Sequence, residues 1–178
     1  MRIRWALFVA ILAASQETLL AQDTTAAPPA DAVSIEAVVA TIYDVISGPV
    51  GDRDWARFRT LFADGARLIP TSPPADSVVA PRVLTVDQYI ERVAPFFARR
   101  PFYERQISAV TERYGHIAHV FSTYESLEGP DGPLLTRGIN SIQLYWNGER
   151  WRVLSILWDS ERTGGPIPQR YGGGPEGT

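Results

Sequence analysis

Cysteine is absent, and so is lysine: all 17 basic residues of this 178-residue chain are arginine. Without cysteine there can be no disulfide, no thiolate nucleophile and no thiolate metal site. There are two histidines, His116 and His119. Side chains three apart on a strand point to opposite faces, so this pair is a poor metal clamp, and no metal or other cofactor is expected. The arginines are scattered and the net charge is -3. A nucleic-acid partner, which normally leaves a basic patch or stripe, is therefore not expected. Long apolar runs are also lacking. The longest, residues 5–14, is too short to cross a hydrocarbon core of about 30 Å as a helix.

That run follows Arg2 and Arg4 and precedes Leu19-Leu20-Ala21. Charged, apolar and small residues in this order read as an export signal over residues 1–21, cleaved after Ala21. The expected location is secreted or periplasmic, with no stable membrane anchor after cleavage. Residues 22–32 have almost no large apolar side chain and read as a flexible linker. Residues 163–178 read as a disordered Gly/Pro-rich tail. The folded domain is expected over 33–162.

Within it, Ile35, Val38, Val39, Ile42, Val45 and Ile46 recur at helical spacing behind Ser34, and Gly48-Pro49 stops the helix. A second helix starts near Asp52, with Trp55, Phe58, Leu61 and Phe62 on one face. Residues 66–71 form a short strand and 72–81 a proline-rich loop. A third helix spans 87–99, and Pro95 should bend or end it. Residues 102–113, 117–126, 135–146 and 151–159 read as four long strands, the last two joined at Asn147-Gly148, a strong hairpin signal. Helices first and then a strand meander define an α+β fold, with helices on one face of an antiparallel sheet.

Residues 54–68, 118–125 and 147–158 resemble the nuclear-transport-factor-2-like superfamily in its polyketide-cyclase-like bacterial branch. The resemblance covers about residues 35–160. It implies a cone: a strongly curved, mostly antiparallel sheet with three helices packed on its concave face. It does not settle an activity, because the superfamily holds isomerases, dehydratases, hydrolases, cyclases and binding modules. Isomerase-like members carry a carboxylate base on the strand after the second helix, where this chain has no Asp or Glu. Other members use histidines or an Asp-Arg-Asp set, for which this chain offers His119, Glu125, Arg137 and Asp159.

With a two- or four-residue turn at Asn147-Gly148, even positions of the last strand share a face with odd positions of its neighbour. The resemblance implies that Trp158 faces the cone. Its group is then the expected ligand-binding wall: Arg137, Ile139, Ser141 and Gln143 with Leu154, Ile156 and Trp158. Mostly apolar lining with a few polar groups suits a small apolar or aromatic molecule. The catalytic candidates are His119 and Asp159, for a hydrolase, dehydratase or isomerase. The other face, with Ile142, Leu144, Trp146, Trp151 and Val153, is expected to be covered by a second copy in a homodimer.

Overall fold

The computed structural model describes residues 30–71 and 81–174. The expected signal at 1–21, most of the linker at 22–32 and most of the loop at 72–81 lie outside the described residues. Helix α1 (Ile35–Ile46) is capped by Ser34, whose hydroxyl accepts from the Ala37 N–H at 3.0 Å. Its six periodic apolar side chains are all buried, each stabilising the fold by roughly 1.5–3 kcal/mol relative to exposure. At its end the Ser47 hydroxyl donates to the Tyr43 carbonyl at 2.7 Å and accepts from the Glu104 N–H at 2.9 Å. Gly48 and Phe102 exchange backbone hydrogen bonds of 2.7 and 3.0 Å. The end of α1 therefore fixes the start of the strand that carries Glu104.

Helix α2 (Trp55–Thr60) is capped by Asp54 and is shorter than the apolar pattern suggested. Strand β1 (Phe62–Pro70) begins earlier than expected, because Phe62 already pairs with Val153 ahead of an irregularity that ends at Arg67. Helix α3 (Val86–Phe97) starts at a capping box of Thr85 and Gln88. Pro95 falls in its last turn, and the helix ends two residues later. Strands β2 (Tyr103–Tyr114), β3 (Ile117–Leu127), β4 (Leu134–Trp146) and β5 (Trp151–Ser160) follow. The sheet order is β1-β5-β4-β3-β2, with β1 parallel to β5 and the other pairs antiparallel. This is an α+β fold with a mixed, curved five-stranded sheet.

The last hairpin turns over four residues. Asn147 and Arg150 close it, and the Asn147 side chain accepts from the N–H groups of Glu149 and Arg150. Trp146 therefore pairs with Trp151 and Leu144 with Val153, the parity expected for such a turn. The next pair is Gln143 with Ser155, which leaves Leu154 as an extra residue. A bulge of this kind shifts the alternation by one. Beyond it, Ile156 and Trp158 pair with Ile142 and Asn140.

The expected division of faces therefore needs correction. Asn140, Ile142, Leu144, Trp151 and Val153 share the inner face with Ile156 and Trp158, and most of them join α1 in the main core. Arg137, Ile139, Ser141 and Gln143 lie on the outer face, and Leu154 is 44% exposed. Because Ile142, Leu144, Trp151 and Val153 are buried within one copy, the argument for a homodimer built on them falls.

Both ends of the domain also extend further than composition suggested. Ala30–Ala32 forms a 3-10 turn, and Ala32 joins the core. Asp31 pairs with Arg57 of α2 at 2.8 Å. Residues 163–174 are ordered against the outer face rather than free. After α4 (Glu161–Gly164), Ile167 is buried, and a second 3-10 turn at Gln169–Tyr171 sits over the sheet. The Thr123 hydroxyl donates to the Tyr171 carbonyl at 2.6 Å, and the rings of Phe121 and Tyr171 lie 4.8 Å apart. A buried isoleucine, a ring contact and several hydrogen bonds order a segment otherwise poor in apolar groups.

Candidate ligand site in the cone

The space between α1, α3 and the inner face of the sheet is a cavity of about 300 Å³. Its wall is mainly aromatic and aliphatic. Tyr89 and Val93 come from α3, Phe102 from the approach to β2, Trp158 from β5 and Ile42 from α1. The rings interlock: Tyr89 meets Trp158 edge-on at 6.1 Å and stacks on Phe58 at 5.8 Å. Phe96, 40% exposed, stands at the mouth.

The polar groups gather on one side, from β2, β3 and β4. Glu104 reaches the surface with part of the residue, but its carboxyl is enclosed. The Ser126 hydroxyl donates to Glu104 Oε2 at 2.6 Å, and the Asn140 side chain also bonds toward the carboxyl. Asn140 Nδ2 donates to the Tyr43 hydroxyl at 3.0 Å, which lies 2.7 Å from Ser122 Oγ. Gln106 Nε2 donates to the same serine at 2.6 Å. Burial pushes the Glu104 carboxyl up to about 7, against the hydrogen bonds that favour its charged form. Burial and the charge of Glu104 raise the hydroxyls of Tyr89 and Tyr124 well above the usual phenol range.

Of the sequence-derived ligand residues, Ile156 and Trp158 line this cavity. The other five do not. Ile139 and Ser141 instead line a second cavity of about 310 Å³ on the outer face, with Phe121, Leu157, Pro166 and Ile167. Gln143 and Leu154 are exposed. Arg137 ties β4 to the C-terminal segment, with Nη1 3.9 Å from Glu161 Oε1 and Nη2 donating to the Gly172 carbonyl at 3.4 Å.

His119 lies on the outer face, where its Nε2 is 2.9 Å from Ser141 Oγ. Asp159 shares that face but pairs with Ile139, whereas His119 pairs with Gln143. Four residues along β4 and two strand spacings across it separate the two positions by about 16 Å. Sequence reasoning missed Glu104, Asn140 and Tyr124. The first was read only as part of a strand, and the other two depended on facing. Glu104 is the second residue of β2, and its inner-face pairing with Ser126 emerges only from the register of the sheet.

The sequence matches no family model and no curated protein. Solved structures do resemble the chain. One, from Thiobacillus denitrificans, is provisionally described as a calcium/calmodulin-dependent protein kinase type II association domain. It is 13% identical with a TM-score of 0.55, over 72% of this chain and 95% of that one. A protein of unknown function with a cystatin-like fold, from Nostoc punctiforme, is 7% identical with a TM-score of 0.53, over 72% and 94%. A Streptomyces avermitilis protein, provisionally described as a dehydratase of the nuclear-transport-factor-2-like family, is 15% identical with a TM-score of 0.50, over 69% and 90%. The chain has the nuclear-transport-factor-2-like fold. At these identities the likeness concerns the fold alone.

Proposed function

We propose that this protein binds a small, largely apolar molecule in the cone. The observation that carries the reading is the cavity of about 300 Å³ with aromatic and aliphatic walls and polar groups confined to one side. Small-molecule sites have this composition, in which apolar surface supplies affinity and a few placed polar groups set orientation. The export signal read at residues 1–21 puts that binding outside the cytoplasm.

The test is titration with N-phenyl-1-naphthylamine, an apolar dye that brightens in dry surroundings. Wild-type protein should enhance its emission. Val93→Trp, which fills the cone from α3, should abolish the enhancement while leaving the melting temperature nearly unchanged. Equal enhancement by both proteins would place the dye elsewhere and end this reading.

A second reading is acid–base catalysis on the bound molecule, favoured by one observation. Glu104 is an enclosed carboxyl held near neutrality, where a group can both take and return a proton. Glu104, rather than His119 with Asp159, is the residue on which that reading rests.

A further inference from the structure

Glu104 is the one ionisable acid on the cone wall, and no Arg or His accompanies it there among the described residues. On the other side of Glu104, Asp44 of α1 shares a cleft with it and pairs with Arg57 at 2.6 Å. Toward the cone the elements around it present only neutral groups. Tyr43 and Ile42 face it from α1, Tyr89 from α3, Tyr124 and Ser126 from β3, and Asn140 from β4. The nearby arginines are engaged elsewhere. Arg53 donates to the carbonyls of Ile46, Gly48, Pro49 and Gly51. Arg105 projects from the opposite face of β2 and pairs with Glu125 at 2.5 Å.

A carboxylate offers about four acceptor positions. Ser126 and Asn140 supply two neutral donors, which leaves the charge uncompensated. Around the remaining space stand the faces and edges of Tyr89, Phe96, Phe102 and Trp158. A cation near such rings gains further attraction, and a charge-assisted bond to a carboxylate is about twice as strong as a neutral one. An anionic ligand would be repelled, and a purely apolar one would leave Glu104 unpaired.

We propose that the cone selects a small amphipathic amine, with its protonated nitrogen against Glu104 and its apolar body among the aromatic rings. This rests on the cone being a binding site. The proton balance follows directly. Below neutrality the empty protein holds Glu104 as the neutral acid, so binding an ammonium ion there releases one proton to solvent.

The experiment uses three probes that share a phenyl ring: phenethylamine, 2-phenylethanol and phenylacetate, titrated calorimetrically into the full chain. At pH 8 the amine should bind at least tenfold more tightly than the alcohol, and phenylacetate most weakly. Amine affinity should fall about tenfold per pH unit below pH 7, with close to one proton released, measured by comparing buffers of different ionisation enthalpy. Glu104→Gln should remove the amine preference and the pH slope while leaving alcohol affinity within about twofold.

An alcohol that binds as tightly as the amine, with no pH slope, overturns the amine assignment and leaves the cone reading standing. Failure of all three probes together with N-phenyl-1-naphthylamine overturns the cone reading itself. If Glu104→Gln does not fold, the slope and proton release of the wild-type protein decide the matter alone.

Discussion

Replacing Glu104 by Gln tests the electrostatics of the cone without any ligand. In the unfolded chain this carboxyl has its ordinary value of 4.5, and in the fold burial raises it to about 7. Between those values the folded protein binds the proton and the unfolded chain does not, so stability falls as pH rises. The contribution is fully present below pH 4.5 and lost by the time pH passes about 7. The difference between 7 and 4.5, at about 1.4 kcal/mol per pH unit, amounts to about 3 kcal/mol. Gln keeps an acceptor for the Ser126 hydroxyl and has no charge to desolvate. With about 1 kcal/mol lost at every pH to imperfect hydrogen bonding, the variant should be about 1 kcal/mol less stable than the wild-type protein near pH 4.5 and about 2 kcal/mol more stable at pH 8. Urea denaturation followed by tryptophan fluorescence at several pH values gives the difference directly, because other titrating groups cancel in it. A difference that stays constant from pH 4.5 to 8, or that turns in favour of the wild type as pH rises, would refute the reasoning.

Two further outcomes follow from the packing. Deleting Leu154 removes the extra residue, so that Ser155 alone faces Gln143 while Ile156 and Trp158 keep their inner-face pairs with Ile142 and Asn140. The deletion variant should therefore still unfold cooperatively by circular dichroism, and Leu154→Ala, at an exposed position, should change stability by under about 1 kcal/mol. Arg57→Ala frees Asp31 and Asp44, both paired with it on a partly exposed surface, and should lower stability by about 1 kcal/mol. Because Arg57 holds the Asp31 carboxyl below its ordinary 3.8, this difference should be present at neutral pH and shrink as pH falls below 3.8, which paired urea titrations would reveal.

Much of the architecture was legible because it rests on periodicity. The i, i+3, i+4 pattern from Ile35 to Ile46, the Ser34 cap and the Asn147-Gly148 turn are local features, and the structure has each of them. The site was legible only in part, because it depends on which face a strand residue takes. Counting alternation outward from the turn holds as far as Leu144 and Val153, then fails at Leu154. Nothing in the residue type of Leu154 distinguishes an extra residue from a paired one. Glu104 was hidden for a different reason. Its enclosure is produced by α3 and by the end of α1, elements distant in sequence, so no local pattern around it signals a buried acid. The C-terminal segment shows the limit of composition: its average reads as disorder, but Ile167 and Tyr171 supply anchors.

The stretch of β5 from Ile156 to Asp159 has a cavity on each side, the cone against Trp158 and the outer space against Leu157. A single strand is thus a party wall, one backbone thick, between two rooms of nearly equal size. Any displacement of that backbone along the sheet normal carries Trp158 and Leu157 together. Room gained on one side is then lost on the other, so the volumes of the two spaces are bound to vary in opposition.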